Sequence, residues 1–268
     1  MKHSQGIAVI IPTCKPQEYL KQCLKSIDVQ TLSKDKFCVY IALNGDKIPY
    51  ENEILSLLKS HSFKSEYVYI EEPGVSNARN QLIDFSKEKF VTFVDDDDLI
   101  SANYLNDLLK VSTDKSVGIA KVYSFKESID AATNHWIGAS YEKLCLSEAS
   151  KFKARKYYSP ICAKLIHRDI IGDIRFDINV KNGEDSLFMA TISKSIEKLC
   201  KPHEEACYYI YERPESASRK EIPLNNRIKN YIYLIIEYLK LLFLPRYDRW
   251  FILTRIVATL KKMILGLN

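Results

Sequence analysis

Three short, almost wholly apolar runs constrain this chain's fold more than anything else in it. IAVIIP (7–12), FCVYIAL (37–43) and FVTFV (90–94) are rich in β-branched and aromatic residues and carry no polar alternation. A strand of that kind has both faces covered, which is the situation inside a parallel sheet. The intervening segments read as helices. In PQEYLKQCLKSIDVQT (16–31), Tyr19, Leu20, Cys23, Leu24 and Ile27 recur at helical spacing. NEILSLLKSH (52–61) and SNARNQLIDFSK (76–87) read as further helices, and EYVYIEE (66–72) as a strand stopped by Pro73-Gly74. Strand and helix alternate through short links, so an α/β fold with a mostly parallel sheet flanked by helices is expected. The whole chain, 46% hydrophobic and 27% charged over 268 residues, is large enough for one sizeable core.

Ligands of such sheets sit where strands end and loops begin. Thr13, Asn44-Gly45-Asp46, Gly74 and Asp95 to Asp98 all fall there. The four consecutive aspartates are the most unusual of these. One reading is a solvated acidic cap on the following helix, near Ser101 to Lys110, favoured by the helix dipole. The other is an Asp-x-Asp pair, Asp95 and Asp97, whose carboxylates point the same way from an extended strand end and share a hard divalent cation. Substrate phosphates commonly complete the shell of such an ion. Asp98 is expected to cap the next helix.

The second half is less regular. KSVGIAKVYSF (115–125) reads as one strand, SPICAKLIHRDII (159–171) as a strand running into a short helix, and EEACYYIYE (204–212) as a closing strand. GEDSLFMATISKSI (183–196) opens with acids and continues as a helix. SKFKARKYY (150–158) is basic and suits a loop or a surface helix, and a lone Trp136 beside His135 suits either the core or a sugar stack. Seven scattered cysteines without a Cys-x-x-Cys pair suit buried free thiols in a reducing cytosol. The five histidines have no metal-ligand spacing. The N-terminal apolar stretch is too short for a signal peptide, and no stretch reaches the ~20 apolar residues of a membrane span.

The order of IIPTCKPQEYLKQCLKSIDVQT, PGVSNARN, FVTFVDDDDL and NGED resembles the family 2 glycosyltransferases of the GT-A, Rossmann-like fold, over roughly residues 7 to 220. The resemblance implies an inverting, metal-dependent transfer from a nucleotide-diphospho-sugar, most frequently a UDP-sugar, with Mn²⁺ or Mg²⁺. It places Pro12 and Thr13 in the nucleotide pocket and Arg79 against the base or a phosphate. It puts Asp95 on the ribose or metal, Asp96 beside the donor, and Asp97 on the metal. Asp185 of NGED matches the base on the acceptor hydroxyl, and Glu184 would orient the site; the alternative is an acidic pair at a helix start. Where the family has an aspartate that reads the base, this chain has Leu43, so Asn44 or Asp46 would substitute. Arg213, Ser216, Ser218 and Arg219 of YERPESASR would meet the diphosphate if that segment closes over the donor, or belong to a plain linker. Two rivals are a non-catalytic binding protein on the same fold and a sugar nucleotidyltransferase. The glycine-free first loop, PTCKPQE, speaks against the second.

Charge divides the chain differently. Residues 223–268 hold eight basic and two acidic residues, a net +6 against +5 for the whole. The basic character thus belongs to the tail, which argues against a nucleic-acid-binding protein and for an anionic surface beside the tail. The expected layout is a catalytic domain over 1–222, its nucleotide half 1–100 and acceptor half 101–222, then two amphipathic helices separated at Pro245. In the second helix, Trp250, Leu253, Val257, Leu260 and Ile264 share a face, with Arg255, Thr259 and Lys262 away from it. Such a face fits a membrane interface, the catalytic domain or a second subunit as a homodimer. A lipid-linked glycan acceptor at the inner face of the plasma membrane would suit the first.

Overall fold

The computed structural model describes residues 4–213 and 223–265. The first apolar run lies in β1 (Ser4–Thr13), the second in β2 (Phe37–Asn44) and the last in β4 (Glu88–Phe93), with β3 (Lys64–Ile70) between them. These four strands are parallel in the order β3-β2-β1-β4, and β1 and β2 are buried almost throughout. Helices α1 (Glu18–Asp28), α2 (Tyr50–Lys59) and α3 (Val75–Phe85) connect them. In α1, Leu20, Cys23, Leu24 and Ile27 face the sheet, as their spacing predicts.

Past β4 the chain makes β5 (Leu99–Ile100), α4 (Tyr104–Val111), β6 (Ser116–Ile119), β7 (Lys121–Phe125), β8 (Thr133–Asn134), α5 (Gly138–Tyr141) and β9 (Ser147–Glu148). Then follow β10 (Lys164–His167), α6 (Arg168–Ile171), α7 (Glu184–Ile192), β11 (Lys198–Cys200) and β12 (Cys207–Tyr211). Strand β10 runs antiparallel beside β4 and extends the large sheet through β6, β11 and β9. The expected single strand over 115–125 is in fact two. The break is at Ala120, whose N–H bonds to Ala163 O; β6 stays in the large sheet and β7 enters a four-stranded sheet, β5-β12-β7-β8. That small sheet positions the site, because β5, just after the aspartates, pairs with β12, which delivers Tyr211 and Arg213.

The C-terminal region is a helical hairpin, α8 (Leu224–Phe243) and α9 (Arg249–Leu265), with Pro245 at the turn. Its buried side is not the face that carries Trp250, so of the surfaces that face was expected to meet, the catalytic domain is not the one it covers. Phe251, Ile252, Arg255, Ile256 and Thr259 of α9 pack inward. Trp250, Leu253, Val257, Leu260 and Ile264 are 36–77% exposed. On α8, Ile232, Ile236, Leu239 and Phe243 make a second exposed apolar stripe at helical spacing. Among the described residues, no helix is long and apolar enough to cross a membrane.

Candidate active site

The aspartate segment is not a strand end. Strand β4 stops at Phe93, and Asp98 N bonds back to Asp95 O, making a turn. Alternation along an extended strand therefore does not apply, and the four carboxylates go to four different partners. Asp95 Oδ1 accepts from Arg79 Nη2 at 2.9 Å. Asp96 Oδ2 accepts from the Thr13 hydroxyl. Asp97 Oδ2 lies 3.0 Å from Arg213 Nε. Asp98, which is buried, takes the Tyr211 N–H at 2.9 Å. Asp98 is thus not a helix cap: α4 starts later, at Tyr104 with Asn103 before it. Dispersal among separate donors is what lets four acids stand side by side. Burial still pushes three of them up, Asp96 to about 7, Asp97 to about 6 and Asp98 well above its ordinary value, with neighbouring aspartates adding to the effect.

Glu184 and Asp185 occupy the first turn of α7. Gly183 precedes them with φ +92°, a left-handed conformation that suits glycine, and a Cβ there would sit 3.0 Å from Leu234 Cδ1. Asp185 is held from two sides, its Oδ1 by Arg79 Nη1 at 2.7 Å and its Oδ2 by the Ile161 N–H at 3.1 Å. Burial raises the Asp185 pKa and Arg79 opposes the rise. Glu184 is pushed up to about 7 by burial and then by Asp185.

Arg79 is the hinge of this arrangement. It is 3% exposed, on α3, and its guanidinium reaches Asp95, Asp185 and, at 3.9 Å, Glu184. Burial disfavours its charge, but the three carboxylates outweigh that and hold it protonated. An arginine so engaged is tied into the floor of the site, rather than reaching freely for a base or phosphate as expected.

These groups share one cleft of about 660 Å³. Its lining includes Pro12, Thr13, Asn44, Arg79, Asp95, Asp96, Asp97, Glu184, Asp185 and Arg213. Asp46 is exposed and does not line the cleft. Asn44 does, but its amide is engaged in bracing two loops: Nδ2 donates to Thr13 O and Oδ1 accepts from Gly74 N. Ser216, Ser218 and Arg219 lie outside the described residues. Trp136 is about half exposed, with Lys156 Nζ 5.8 Å from its ring centre, and is not in the lining. Sequence reading missed Lys15, Gln17, Ile210 and Tyr211, which also line the cleft, and Ile161, whose contribution is a backbone N–H. Tyr211 packs against Tyr19, ring centres 4.9 Å apart and planes tilted by 39°; the run of tyrosines in ACYYIYE was its only sequence signal.

The glycosyl transferase family 2 model matches residues 8–174, more than half of the chain. The chain belongs to glycosyl transferase family 2. It is 30% identical over 203 residues to the glycosyltransferase GlyA of Streptococcus pneumoniae serotype 4, covering 72% of this chain and 29% of that protein. It is 24% identical over 226 residues to the minor teichoic acid biosynthesis protein GgaB of Bacillus subtilis, covering 82% and 24%. The chain thus spans less than a third of the length of those two relatives. Staphylococcus aureus TarS 1–349 in complex with UDP-GlcNAc superimposes with a TM-score of 0.75 at 17% identity, over 97% of this chain and 73% of that one. Mannosyltransferase PcManGT of Pyrobaculum calidifontis, in complex with GDP-Man and Mn²⁺, gives 0.64 at 15% identity, over 97% and 70%. The fold is therefore GT-A.

Proposed function

We propose that the family 2 chain transfers a hexosyl or N-acetylhexosaminyl group from a nucleotide-diphospho-sugar, a UDP-sugar, to a hydroxyl of a glycan acceptor, with inversion. The observation that carries this reading is Arg79. It ties Asp95, on the wall formed by the ends of β1 and β4, to Asp185, at the head of α7, across one cleft. A donor against the first wall would present its anomeric carbon toward the second. Asp185 would then remove the proton from the acceptor hydroxyl as the hydroxyl oxygen attacks that carbon, and the bond to the diphosphate would break on the opposite side. The base must be ionised for this, and Arg79 favours that form. Glu184, 3.9 Å from the same guanidinium, would orient the acceptor.

The aspartate turn fits a hard cation, Mn²⁺ or Mg²⁺. Its donor set is carboxylate oxygen, although among the described residues no three acids, histidines or cysteines are gathered so that they alone could hold an ion. The remaining ligands would come from a diphosphate. Asp97 and Asp95 would hold the ion, which when bound supplies positive charge for the departing diphosphate. Arg213 now partners Asp97 and would turn to the diphosphate. Thr13, with Asp96 held by its hydroxyl, and Pro12 would shape the nucleotide pocket. Support for UDP comes from TarS, solved with UDP and with UDP-GlcNAc.

A lipid-linked acceptor fits the C-terminal hairpin, whose exposed apolar stripes carry Trp250 and are flanked by Lys240, Arg246, Arg249, Lys261 and Lys262. Such a surface suits the anionic inner face of the plasma membrane, and the protein would act there as a peripheral enzyme. The test of the donor site is calorimetric titration with UDP, CMP, GDP and dTDP, with and without Mn²⁺, on the wild type and Asp97→Asn. The expected result is one nucleotide bound tightly, dependent on both the metal and Asp97. Binding that ignores metal and substitution would overturn the cation reading.

A further inference from the structure

The hairpin's inward face holds a buried cation that the reaction outlined above does not use. Arg255 of α9 is 7% exposed, yet no carboxylate pairs with it among the described residues. Its partners are neutral. Nη1 donates to Ser159 Oγ at 2.8 Å and to Ser186 Oγ at 3.4 Å, and Nη2 donates to Arg155 O. Tyr238 of α8 meets the same Ser186 hydroxyl at 3.0 Å. Burying an unpaired guanidinium is expensive. Burial pushes its pKa down to about 10. A leucine or methionine would fill the space more cheaply, so the polar geometry is the feature to explain.

The partners give the explanation. Ser186 directly follows Asp185 in the first turn of α7. Ser159 and Arg155 belong to the irregular segment ending at Ile161, whose N–H holds Asp185 Oδ2. One guanidinium therefore fixes the position of both halves of that hydrogen bond relative to each other. Lys164, wholly buried, ties the same segment from the other side through Pro160 O and Cys162 O. We infer that Arg255, assisted by Tyr238, is a positioning residue that presents Asp185 to the acceptor, so that the C-terminal hairpin is part of the catalytic apparatus and not an appended tail. A proton acceptor displaced by a fraction of an ångström loses much of its advantage. This rests on the proposed role of Asp185.

The experiment uses the full chain with Arg255→Met, Arg255→Lys and Tyr238→Phe. Three quantities are read: kcat for donor cleavage, Kd for UDP, and amide hydrogen exchange. Arg255→Met is expected to lower kcat at least tenfold while UDP affinity stays within twofold. Exchange at Ile161 should accelerate at least tenfold, and exchange at Phe90 to Phe93 of β4 should not change. Arg255→Lys, which can reach one of the acceptors, should fall between Met and wild type, and Tyr238→Phe should show a smaller loss of the same kind. A kcat within twofold of wild type together with unchanged Ile161 protection would overturn the inference. So would a general loss of protection that includes β4, since the hairpin would then merely hold the fold together. If the wild type cleaves no nucleotide-sugar, the transferase reading fails first, and the exchange arm still decides whether Arg255 holds the Ile161–Asp185 contact.

Discussion

The cleft and the outer face of the C-terminal hairpin break the same folding rule in opposite senses. The cleft gathers six carboxylates, Asp95 to Asp98 with Glu184 and Asp185, all at least partly buried, around a buried arginine. The hairpin sets Phe243, Trp250, Val257 and Ile264 in water, each more than 60% exposed. Water favours neither arrangement, and each is the kind of exception that marks a working surface. The cleft satisfies its charges internally through Thr13, Arg79, Arg213 and two backbone N–H groups, so it needs only a ligand to complete it. Among the described residues nothing covers the hairpin's outer stripes, which the proposed function assigns to another surface. Buried charge is thus prepaid chemistry, whereas exposed apolar area is an unmade contact, and the two respond differently to substitution.

The largest effect is expected at the cleft. Asp185→Asn keeps the shape but has a single acceptor oxygen, so it can accept from Arg79 or from the Ile161 N–H but not both, and it cannot accept a proton. Loss of a positioned general base corresponds to roughly 10²–10⁴ in kcat, with UDP affinity unchanged. A steady-state assay of donor turnover paired with calorimetry checks it. Activity retained within about threefold would mean the acids at the head of α7 are only a helix-start pair.

An intermediate effect is expected on the hairpin. Trp250→Glu combined with Val257→Glu alters the exposed face alone. Co-flotation with vesicles containing phosphatidylglycerol should fall at least tenfold, since each apolar side chain withdrawn from the interface forfeits on the order of 1–2 kcal/mol. Donor cleavage in solution should not move. If the wild type does not bind anionic vesicles and light scattering gives twice the monomer mass, a second copy covers the stripes instead.

The same contrast separates what was legible in the sequence. The parallel strands of the N-terminal half were readable because a strand buried on both faces leaves a nearly continuous apolar run, and β1, β2 and β4 have one, broken in β4 only by Thr92. The cleft residues at those strand ends followed from topology, whereas Glu184 and Asp185, in the first turn of α7, were pointed to only by the family resemblance. Side-chain destinations were not readable. Asp95 to Asp98 look alike in sequence, but a turn sends each to a different partner, and nothing local announces that Asp98 would receive the Tyr211 N–H from a strand more than 100 residues away. Arg79 looked free because its three acidic partners lie in other segments. Arg255 was placed only away from the apolar stripe of its helix, and it is that stripe, not the Arg255 side, that is exposed. Periodicity finds two faces of a helix; it does not say which face the rest of the molecule covers.

The smallest effect tests whether buried charge weakens the fold. Glu184 is pushed up to about 7, first by burial and then by Asp185, against the pull of Arg79. In the unfolded chain a glutamate releases its proton near the ordinary value of about 4.3. Between those two values the native state binds the proton and the unfolded state does not. Stability from this group is therefore fully present below about 4.3, and is lost as pH rises through about 7. Glu184→Gln mimics the protonated form at every pH. The variant should match the wild type near pH 5 and exceed it at pH 8 by about 2–4 °C in Tm, equivalent to ~1 kcal/mol for a chain of this size, while turnover falls. Thermal melts of both proteins across pH 5 to 8 measure the difference. Parallel curves, or a variant less stable at pH 8, would show that Glu184 is ionised and that its pairing with Arg79 supports the fold. The cleft would then hold its charges at no cost to stability, and its likeness to the hairpin as a departure from what water favours would end at Glu184.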